Sequence, residues 1–197
     1  MGLPQRDTGY HTYADYLTWT DERRYELIDG EAYCLYDPKA MAPAPTRRHQ
    51  AVLGGVFAQL SQALRGGPCR VYPAPLDVRL PKSDEADELV DTVVQPDISV
   101  ICDPAKLDDA GCRGAPDWII EVLSPATASH DQIRKLAIYE RAGVREYWLV
   151  HPVDGVVTIY RQGADGFGRP RILEMRGRTA STVIPGVDID WALLELD

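Results

Sequence analysis

Two short apolar runs in the middle of the chain, each carrying one carboxylate, constrain the fold more than any other feature. Asp97 interrupts the run 95–101, and Glu121 interrupts the run 118–125. Runs of this length and composition predict buried strands. A charge buried in a strand is costly unless something pairs with it. If the two strands lie side by side, the two carboxylates can share a divalent cation, and the pattern therefore points to a metal-dependent enzyme.

The remaining patterns place helices on both sides of a group of strands. Helical spacing of apolar residues predicts helices over 10–19, 47–65 and 130–142. Strands are expected over the following ranges: a hairpin at 24–36 around Asp29-Gly30, then 69–80, 95–102, 117–123 and 146–150, and a second hairpin at 156–160 and 171–175, with a loop at 37–46 and a short tail at 187–196.

The order of these elements predicts the sheet topology. A helix joins strands 117–123 and 146–150, which favours a right-handed crossover and parallel pairing, whereas the consecutive strands before them are expected to be antiparallel. We therefore expect an α/β (α+β) fold whose α-β-β-β-α-β core spans about residues 47–151 and contains a mixed sheet. An N-terminal helix and hairpin precede this core, and a C-terminal hairpin follows it. Adjacent glycines at 54 and 55 suggest close packing against the first long helix.

Composition and charge limit the location and the partners. One domain over 1–197 is the expectation for this length. The 30 acidic residues exceed the 21 basic residues, and the net charge of −9 argues against a general polyanion-binding surface while leaving room for a local basic track. No apolar run is long enough to cross a membrane, and residues 1–7 lack the core of a signal peptide. We expect a cytoplasmic protein with no membrane association.

The four cysteines show no C-x-x-C pairing. They stand at positions 34, 69, 102 and 112. Zinc sites usually have closer ligand spacing, and small half-buried thiols are common beside strands. Reduced thiols are therefore expected rather than disulfides or a zinc site.

Lys135 and Glu26 are further candidates for the site of Asp97 and Glu121. Lys135 lies in the helix that follows the strand of Glu121, although a surface ion pair with Asp131 at i, i+4 is the commoner arrangement. Glu26 interrupts the first hairpin but could instead face solvent. Asp97 and Glu121 also have ordinary structural alternatives. Asp97 could be a strand-end carboxylate that accepts backbone N–H bonds, and Glu121 could be the buried partner of an arginine. Both acids interrupt successive apolar runs, which weakens these alternatives.

His49 and Asp77 are weaker candidates for the same site. His49 begins the first long helix on its apolar stripe, where a histidine is more often a core or capping residue. Asp77 stands between Leu76 and Val78, as a carboxylate within another apolar run.

The order and spacing of these residues resemble the PD-(D/E)xK nuclease superfamily, and within it the bacterial restriction endonuclease-like proteins of the Uma group. The similarity runs from about residue 10 to 190. The matching segments are 25–31 (YELIDGE), His49, 96–98 (PDI), 121–125 (EVLSP), Asp131 with Lys135, and 142–150 (AGVREYWLV).

The resemblance implies a restriction endonuclease-like core and Mg²⁺-dependent (or Mn²⁺-dependent) cleavage of DNA phosphodiesters. Asp97 matches the Asp of the motif and Glu121 its second acid. Leu123 stands where the motif has its lysine, and this branch is thought to use the lysine of the following helix, here Lys135. A homodimer is expected because duplex cleavage needs two active sites.

The resulting hypothesis assigns a role to each candidate. Asp97 and Glu121, with Glu26, would hold the metal, and Lys135 would orient the attacking water or stabilise the developing charge. Phosphate contacts are expected from Arg23, Arg24, Arg47 and Arg48. Two alternatives stay open: a catalytically inactive module of the same fold that binds nucleic acid or protein, and a metal-dependent hydrolase of another phosphoester.

Overall fold

The structure is a computed structural model that describes residues 5–38, 45–124 and 129–194. Its helices are α1 (Tyr13–Tyr16), α2 (Arg47–Ala63) and α3, in which a π-helical segment, His130–Lys135, continues as the α-helix Leu136–Ala142; short 3₁₀ turns cover Asp87–Leu89, Pro104–Lys106 and Trp191–Leu193.

The strands form two larger sheets and one two-stranded sheet. They are β1 (Gln5–Asp7), β2 (Arg24–Ile28), β3 (Glu31–Tyr36), β4 (Arg70–Pro73), β5 (Val78–Arg79), β6 (Val93–Val94), β7 (Ile98–Ile101), β8 (Leu107–Asp108), β9 (Gly111–Arg113), β10 (Trp118–Val122), β11 (Glu146–His151), β12 (Val156–Gly163), β13 (Gly166–Phe167), β14 (Arg171–Glu174), β15 (Arg178–Ala180) and β16 (Asp188–Asp190).

The central sheet has the predicted mixed topology. Its order is β13-β12-β11-β10-β7-β4, with β14 also paired to β12. Strands β10 and β11 are parallel and are connected through α3, whereas β7 is antiparallel to both β10 and β4. The predictions of a crossover and of antiparallel pairing before it are therefore confirmed, as is the mixed α/β class.

The two faces of the central sheet bury different helices, and this sets where the site lies. Val52 and Val56 of α2 pack with Ile120 and Val122 on one face. Ile138 of α3 belongs to the core on the opposite face. Because side chains alternate along a strand, Glu121 lies on the α3 face.

The second sheet covers the outer side of α3. Its order is β1-β3-β2-β6-β5-β9-β8. Ile28 and Tyr33 of this sheet share a hydrophobic core with Ile138 and Tyr139 of α3. Asp29 and Gly30 join β2 to β3 with φ of 51° and 83°, so the predicted Asp-Gly turn is confirmed.

Two predicted strands are shorter than expected because proline interrupts them. The range 69–80 contains β4 in the central sheet and β5 in the second sheet, with the cis Ala74-Pro75 bond between them. The range 95–102 reduces to β7, so Asp97 lies at a bend just before the strand and not inside it. Pro75 and Pro96 carry no N–H group for a ladder.

Helix and tail boundaries also differ from the predictions. Helix α1 covers four residues of the predicted 10–19, although its predicted capping box is present, with the Thr12 N–H donating to the Asp15 carboxylate at 2.8 Å. Within the predicted loop 37–46, residues 39–44 lie outside the described residues, as do 195 and 196 of the predicted tail.

The prediction from the glycine pair is half right. A Cβ on Gly55 would lie 2.4 Å from Cδ2 of Leu194, which agrees with the expected close packing. Gly54 faces open space, so the expectation is wrong there.

The prediction that all four cysteines are reduced is wrong for two of them. Cys69 and Cys102 form a disulfide, whereas Cys34 and Cys112 are free thiols. The antiparallel register pairs Arg70 with Ile101, and the next pair outward is Cys69 with Cys102. A separation of 33 residues in sequence hides this proximity.

The length and the polarity of the helices bear on whether the chain could cross a membrane. Within residues 5–38, 45–124 and 129–194, no helix combines the length and the apolar character that a membrane span requires.

Candidate active site

Asp97 and Glu121 lie next to each other at the edge of the β7–β10 pair. The register pairs Ile98 with Ile120, which brings the preceding Asp97 opposite Glu121. The Asp97 N–H donates to Oε2 of Glu121 at 3.1 Å, and the Val122 N–H donates to Oδ2 of Asp97 at 2.8 Å. Each carboxylate is therefore held by the backbone of the other strand. Glu121 is buried, whereas the Asp97 side chain is 23 % exposed and gives solvent access to the pair.

Lys135 reaches this pair from α3. Its Nζ lies 2.9 Å from Oε1 of Glu121, 2.8 Å from Oε1 of Glu26 and 3.6 Å from Oδ1 of Asp131. The Lys135 side chain is only 4 % exposed. The alternative of a surface ion pair with Asp131 is therefore wrong, because both partners are buried within the site. Leu123, which stands where the motif has its lysine, is a buried core residue on the same face.

The π-helical segment at the start of α3 explains how Lys135 is directed inward. In an α-helix, residues i and i+5 differ by about 140° around the axis, because each residue turns by about 100°. The wider i→i+5 turn brings these positions onto one side. His130 and Lys135 have this spacing, and both contact Glu26, at 2.9 Å for the His130 Nε2 and 2.8 Å for the lysine.

Glu26 connects the second sheet to this site. It is completely buried, so the alternative of a solvent-facing strand residue is wrong. Its oxygens contact His130, Lys135 and the N–H group of Gln95, the last at 2.8 Å. These contacts place Glu26 beside the lysine, and its role as a metal ligand stays a prediction.

Three neighbours of the site were not identified from the sequence. His130 and Gln95 contact Glu26, and the Tyr139 hydroxyl donates to Oε1 of Glu121 at 3.0 Å. Tyr139 follows Lys135 by four residues, a spacing that places two side chains on the same face of a helix and could have identified it. No comparable signal existed for His130, because its position depends on the π-helical turn.

Burial and the mixture of charges shift the pKa values of the central residues in opposite directions. Burial raises the pKa of Glu121 well above its ordinary value; Lys135 opposes this, while Asp131 and Asp97 add to it. For Glu26, burial acts in the same upward direction, but Lys135 and His130 lower the pKa to about 2. Burial lowers the pKa of Lys135, yet the surrounding carboxylates raise it well above the ordinary value, so the lysine remains charged.

The weaker candidates separate into one residue at the site and one outside it. His49 is buried in the first turn of α2, and its Nε2 lies 3.5 Å from Oδ2 of Asp97. Burial lowers the pKa of His49, but Asp97, the Val122 backbone and Asp131 together raise it, so the net pKa lies above the ordinary value. Asp77 instead accepts hydrogen bonds from Gln95 and Tyr16, at 2.8 and 3.2 Å, and no contact with Asp97 is found in the described part of the chain.

The four arginines lie at the starts of two elements that contribute to the site. Arg23 contacts Asp37 at 2.9 Å, and Arg24, the first residue of β2, donates twice to the side chain of Gln95. Arg47 and Arg48 are exposed in the first turn of α2, directly before His49.

The side chains of the site can be judged against the ligands that a divalent cation requires. In the described ranges, no three His, Cys, Asp or Glu side chains are arranged to hold a metal ion. Mg²⁺ does not need such a cage, because it keeps several waters and binds through one or two carboxylates and substrate phosphates. Adjacent oxygen ligands from Asp97 and Glu121, in a site where carboxylates surround Lys135, therefore fit Mg²⁺ or Mn²⁺.

Comparisons with known proteins identify the family of this chain. The chain is 24 % identical over 155 residues to "Uncharacterized protein slr1290" of Synechocystis sp., covering 77 % of this chain and 74 % of that protein. The fold resembles the crystal structure of "a putative nuclease belonging to DUF820" from Anabaena variabilis, with a TM-score of 0.69 and 19 % identity over 93 % of this chain and 96 % of that one. Residues 13–192 match the Uma2 family, described as "Putative restriction endonuclease", and the chain belongs to that family.

Proposed function

We propose that this protein is a Mg²⁺-dependent endonuclease that hydrolyses phosphodiester bonds in DNA. The observation that carries the proposal is the contact between Lys135 Nζ and Glu121 Oε1 at 2.9 Å, beside Asp97. Leu123 leaves the strand without the lysine of the motif, and a lysine from α3 reaches the same carboxylate instead. Membership of the Uma2 family supports the same class of chemistry.

Asp97 and Glu121 would hold the cation, with Mn²⁺ as a substitute for Mg²⁺. A bound Mg²⁺ lowers the pKa of its water and neutralises charge on a phosphate. The exposed side of Asp97 offers the route by which a phosphate can approach. Each carboxylate is oriented by a backbone N–H group of the opposite strand, so the pair requires little rearrangement.

Lys135 supplies a fixed positive charge beside the scissile group. Its raised pKa keeps it protonated, and an ammonium group in a buried site can orient water or stabilise charge that develops on phosphate oxygens. Glu26 contacts the lysine at 2.8 Å, and His130 in turn contacts the other oxygen of Glu26 at 2.9 Å. We therefore propose that Glu26 positions Lys135, while its role as a metal ligand stays a prediction.

DNA is the proposed partner, and a homodimer is the proposed assembly. Arg47 and Arg48 lie in the first turn of α2, directly before His49, which contacts Asp97, and phosphates flanking the cleaved bond would pass there. Arg24 is the first residue of β2, the strand of Glu26, and Arg23 directly precedes it. Cleavage of both strands of a duplex requires two such sites, which supports a two-fold symmetric pair.

A nicking assay on supercoiled plasmid with Mg²⁺ tests the proposed activity. We expect Asp97→Asn, Glu121→Gln and Lys135→Met each to lower the rate by about 100-fold or more, because each removes a group that acts on the reacting phosphate. Parallel assays with single-stranded DNA, RNA and small phosphoesters identify the preferred substrate. Cleavage of a small phosphoester alone would support the alternative hydrolase and contradict the proposal.

Matched controls separate loss of chemistry from loss of fold. Asp117 also precedes a strand and accepts a backbone N–H, that of Cys102 at 2.8 Å, so Asp117→Asn is the control for Asp97. Lys106 donates to the carbonyl oxygen of Ala115 and is the control for Lys135. We expect both control variants to cleave at nearly the wild-type rate. Equal activity of wild type and the Glu121→Gln variant in a clean preparation would exclude the assignment.

A further inference from the structure

Tyr139 contacts the proposed metal-binding carboxylate from within the protein core. Its side chain is completely buried in α3, and its hydroxyl donates to Oε1 of Glu121 at 3.0 Å. Lys135 lies one turn earlier on the same helix and bonds to the same oxygen at 2.9 Å. A carboxylate oxygen has two lone pairs, and these two donors use both of them on Oε1.

The second oxygen of Glu121 has a different environment. Among residues 5–38, 45–124 and 129–194, Oε2 accepts one bond, from the Asp97 N–H at 3.1 Å, and so keeps capacity for another partner on the side of Asp97. We propose that Tyr139 is a positioning residue that, together with Lys135, restricts Glu121 to binding a divalent cation through Oε2 alone. This inference rests on the proposed function, because it assumes that Glu121 and Asp97 form the cation site.

The physical basis is the weak torsional preference of the carboxylate. Rotation about the terminal bond of a glutamate side chain is broad and has no steep minima. Tyr139 and Lys135 both lie on α3, and both donate to Oε1 of Glu121. Together they restrict the orientation of the carboxylate plane more than the flexible lysine would alone. Burial and the nearby carboxylates raise the pKa of Tyr139 well above its ordinary value, so the hydroxyl keeps the proton that it donates.

Tyr147 provides a matched control. It is also completely buried, and its ring centroid lies 4.9 Å from that of Tyr139. Its hydroxyl donates to the backbone carbonyl of Asp131 at 3.1 Å and not to a carboxylate of the proposed pair. Tyr147→Phe therefore removes one buried hydrogen bond of similar length without changing the donors on Glu121.

Calorimetric titration of the purified protein with Mn²⁺ alone tests the inference without relying on catalysis. We expect Tyr139→Phe to raise the dissociation constant by about 10- to 100-fold, the range found when groups that orient metal ligands are removed. Tyr147→Phe should leave it within about threefold of the wild type, and Glu121→Gln should abolish binding. Thermal unfolding of each variant checks that the fold is retained.

The possible outcomes separate this inference from the proposed function. Equal Mn²⁺ affinity of Tyr139→Phe and wild type, or an equal loss in Tyr147→Phe, would contradict the role of Tyr139 while leaving the cation site in place. Absence of binding by the wild type, or unchanged binding by Glu121→Gln, would overturn both. A crystal of the wild type soaked in Mn²⁺ gives a second measurement that needs no variant. Contact through Oε2 alone is expected, and contact through Oε1 would contradict the inference.

Discussion

Buried charges at single residues determine how this site responds to its environment. Glu26 and Glu121 are both buried and both contact Lys135, yet their pKa values move in opposite directions. Glu26 has His130 as an additional partner, whereas Glu121 has Asp97 and Asp131 nearby. Glu26, which has the additional hydrogen-bond partner, therefore stabilises the folded protein when it is ionised. Ionised Glu121 would be stabilised further by an additional positive charge.

The depressed pKa of Glu26 predicts a loss of stability in acid. Its pKa in the folded protein is about 2, against 4.5 for an ordinary glutamate. A group whose pKa is lowered by folding contributes stability at a pH above 4.5 and loses it as the pH falls towards 2. This shift corresponds to about 3 kcal/mol. Urea unfolding of wild type and Glu26→Gln at a series of pH values measures it.

We expect the wild type to lose about 3 kcal/mol more than Glu26→Gln between pH 6 and pH 2. Glu121 is present in both proteins, so its own titration largely cancels in the comparison. If the free energy of unfolding changes with pH in the same way for both proteins, Glu26 is not the source of the loss of stability in acid.

The sequence identified the acids of the site better than it identified their partners. Asp97 and Glu121 could be found because a carboxylate within an apolar run is conspicuous, and the strand register then brings them together. Lys135 needed the resemblance to a family, because its spacing to Asp131 alone suggested a surface pair. Tyr139 could have been found from its spacing of four residues to Lys135, whereas His130 carried no such signal because its position depends on the π-helical turn.

At the scale of elements, the π-helical segment of α3 accommodates one residue more than an α-helical turn. The Leu136 N–H donates to the carbonyl of Asp131, five residues earlier. The exposed Ile133 lies within this turn. Removing Ile133 would leave His130 and Lys135 at i, i+4, about 40° apart in an α-helix, and therefore still on one face. Inserting a residue would increase the spacing to six and direct Lys135 away from Glu26.

We therefore expect deletion of Ile133 to retain Mn²⁺ binding and most of the stability, and insertion of an alanine after Ile133 to lose both. The insertion would leave Glu26 and Glu121 without their shared lysine, which for a buried ion pair costs about 3–5 kcal/mol. Calorimetry and urea unfolding of the two variants measure these effects, with Ile133→Ala as the control. A deletion as damaging as the insertion would show that the π-helical turn does not have this role.

Element types could be predicted from the periodicity, but several boundaries could not. The helix α2, the first hairpin and the parallel β10–β11 pair follow from apolar spacing, an Asp-Gly turn and a connecting helix. The predicted strand ranges are wrong where the chain passes from one sheet to the other, as it does between β4 and β5. Pro75 marks a break in this range, but the pattern does not tell that the two halves join different sheets, because both sheets bury the same residue types.

At the scale of the whole molecule, the Cys69–Cys102 disulfide joins the edge strand β4 to the strand that follows Asp97. It closes a segment with a sequence separation of 33 residues. A cross-link of this length restricts the unfolded chain and stabilises the fold by about 3–4 kcal/mol. We expect the double variant Cys69→Ala/Cys102→Ala to unfold at lower urea concentration than the wild type. Cys34→Ala, which removes a free thiol, is the control.

Treatment with dithiothreitol gives an independent measurement of the same effect. It should lower the stability of the wild type towards that of the double variant and leave the double variant unchanged. Identical unfolding of oxidised and reduced wild type would contradict a stabilising disulfide.

The distribution of charge over the whole molecule predicts how DNA binding should depend on salt. A net charge of −9 opposes general attraction to DNA, so affinity must come from a local group of basic residues. Arg47 and Arg48 are exposed in the first turn of α2, where the positive end of the helix dipole adds to their charge. Arg23 contacts Asp37, and Arg24 donates to the side chain of Gln95.

The proposed binding track therefore predicts that Arg47→Ala/Arg48→Ala has a shallower salt dependence than the wild type. Each phosphate contact contributes about 0.9 to the slope of log affinity against log salt concentration, so loss of two contacts should reduce the slope by about 2. Fluorescence anisotropy with a short duplex, in Ca²⁺ to limit cleavage, measures the slope. Arg176→Ala, an exposed arginine on the C-terminal hairpin, is the control. An unchanged slope in the double variant would place the phosphate contacts elsewhere on the surface.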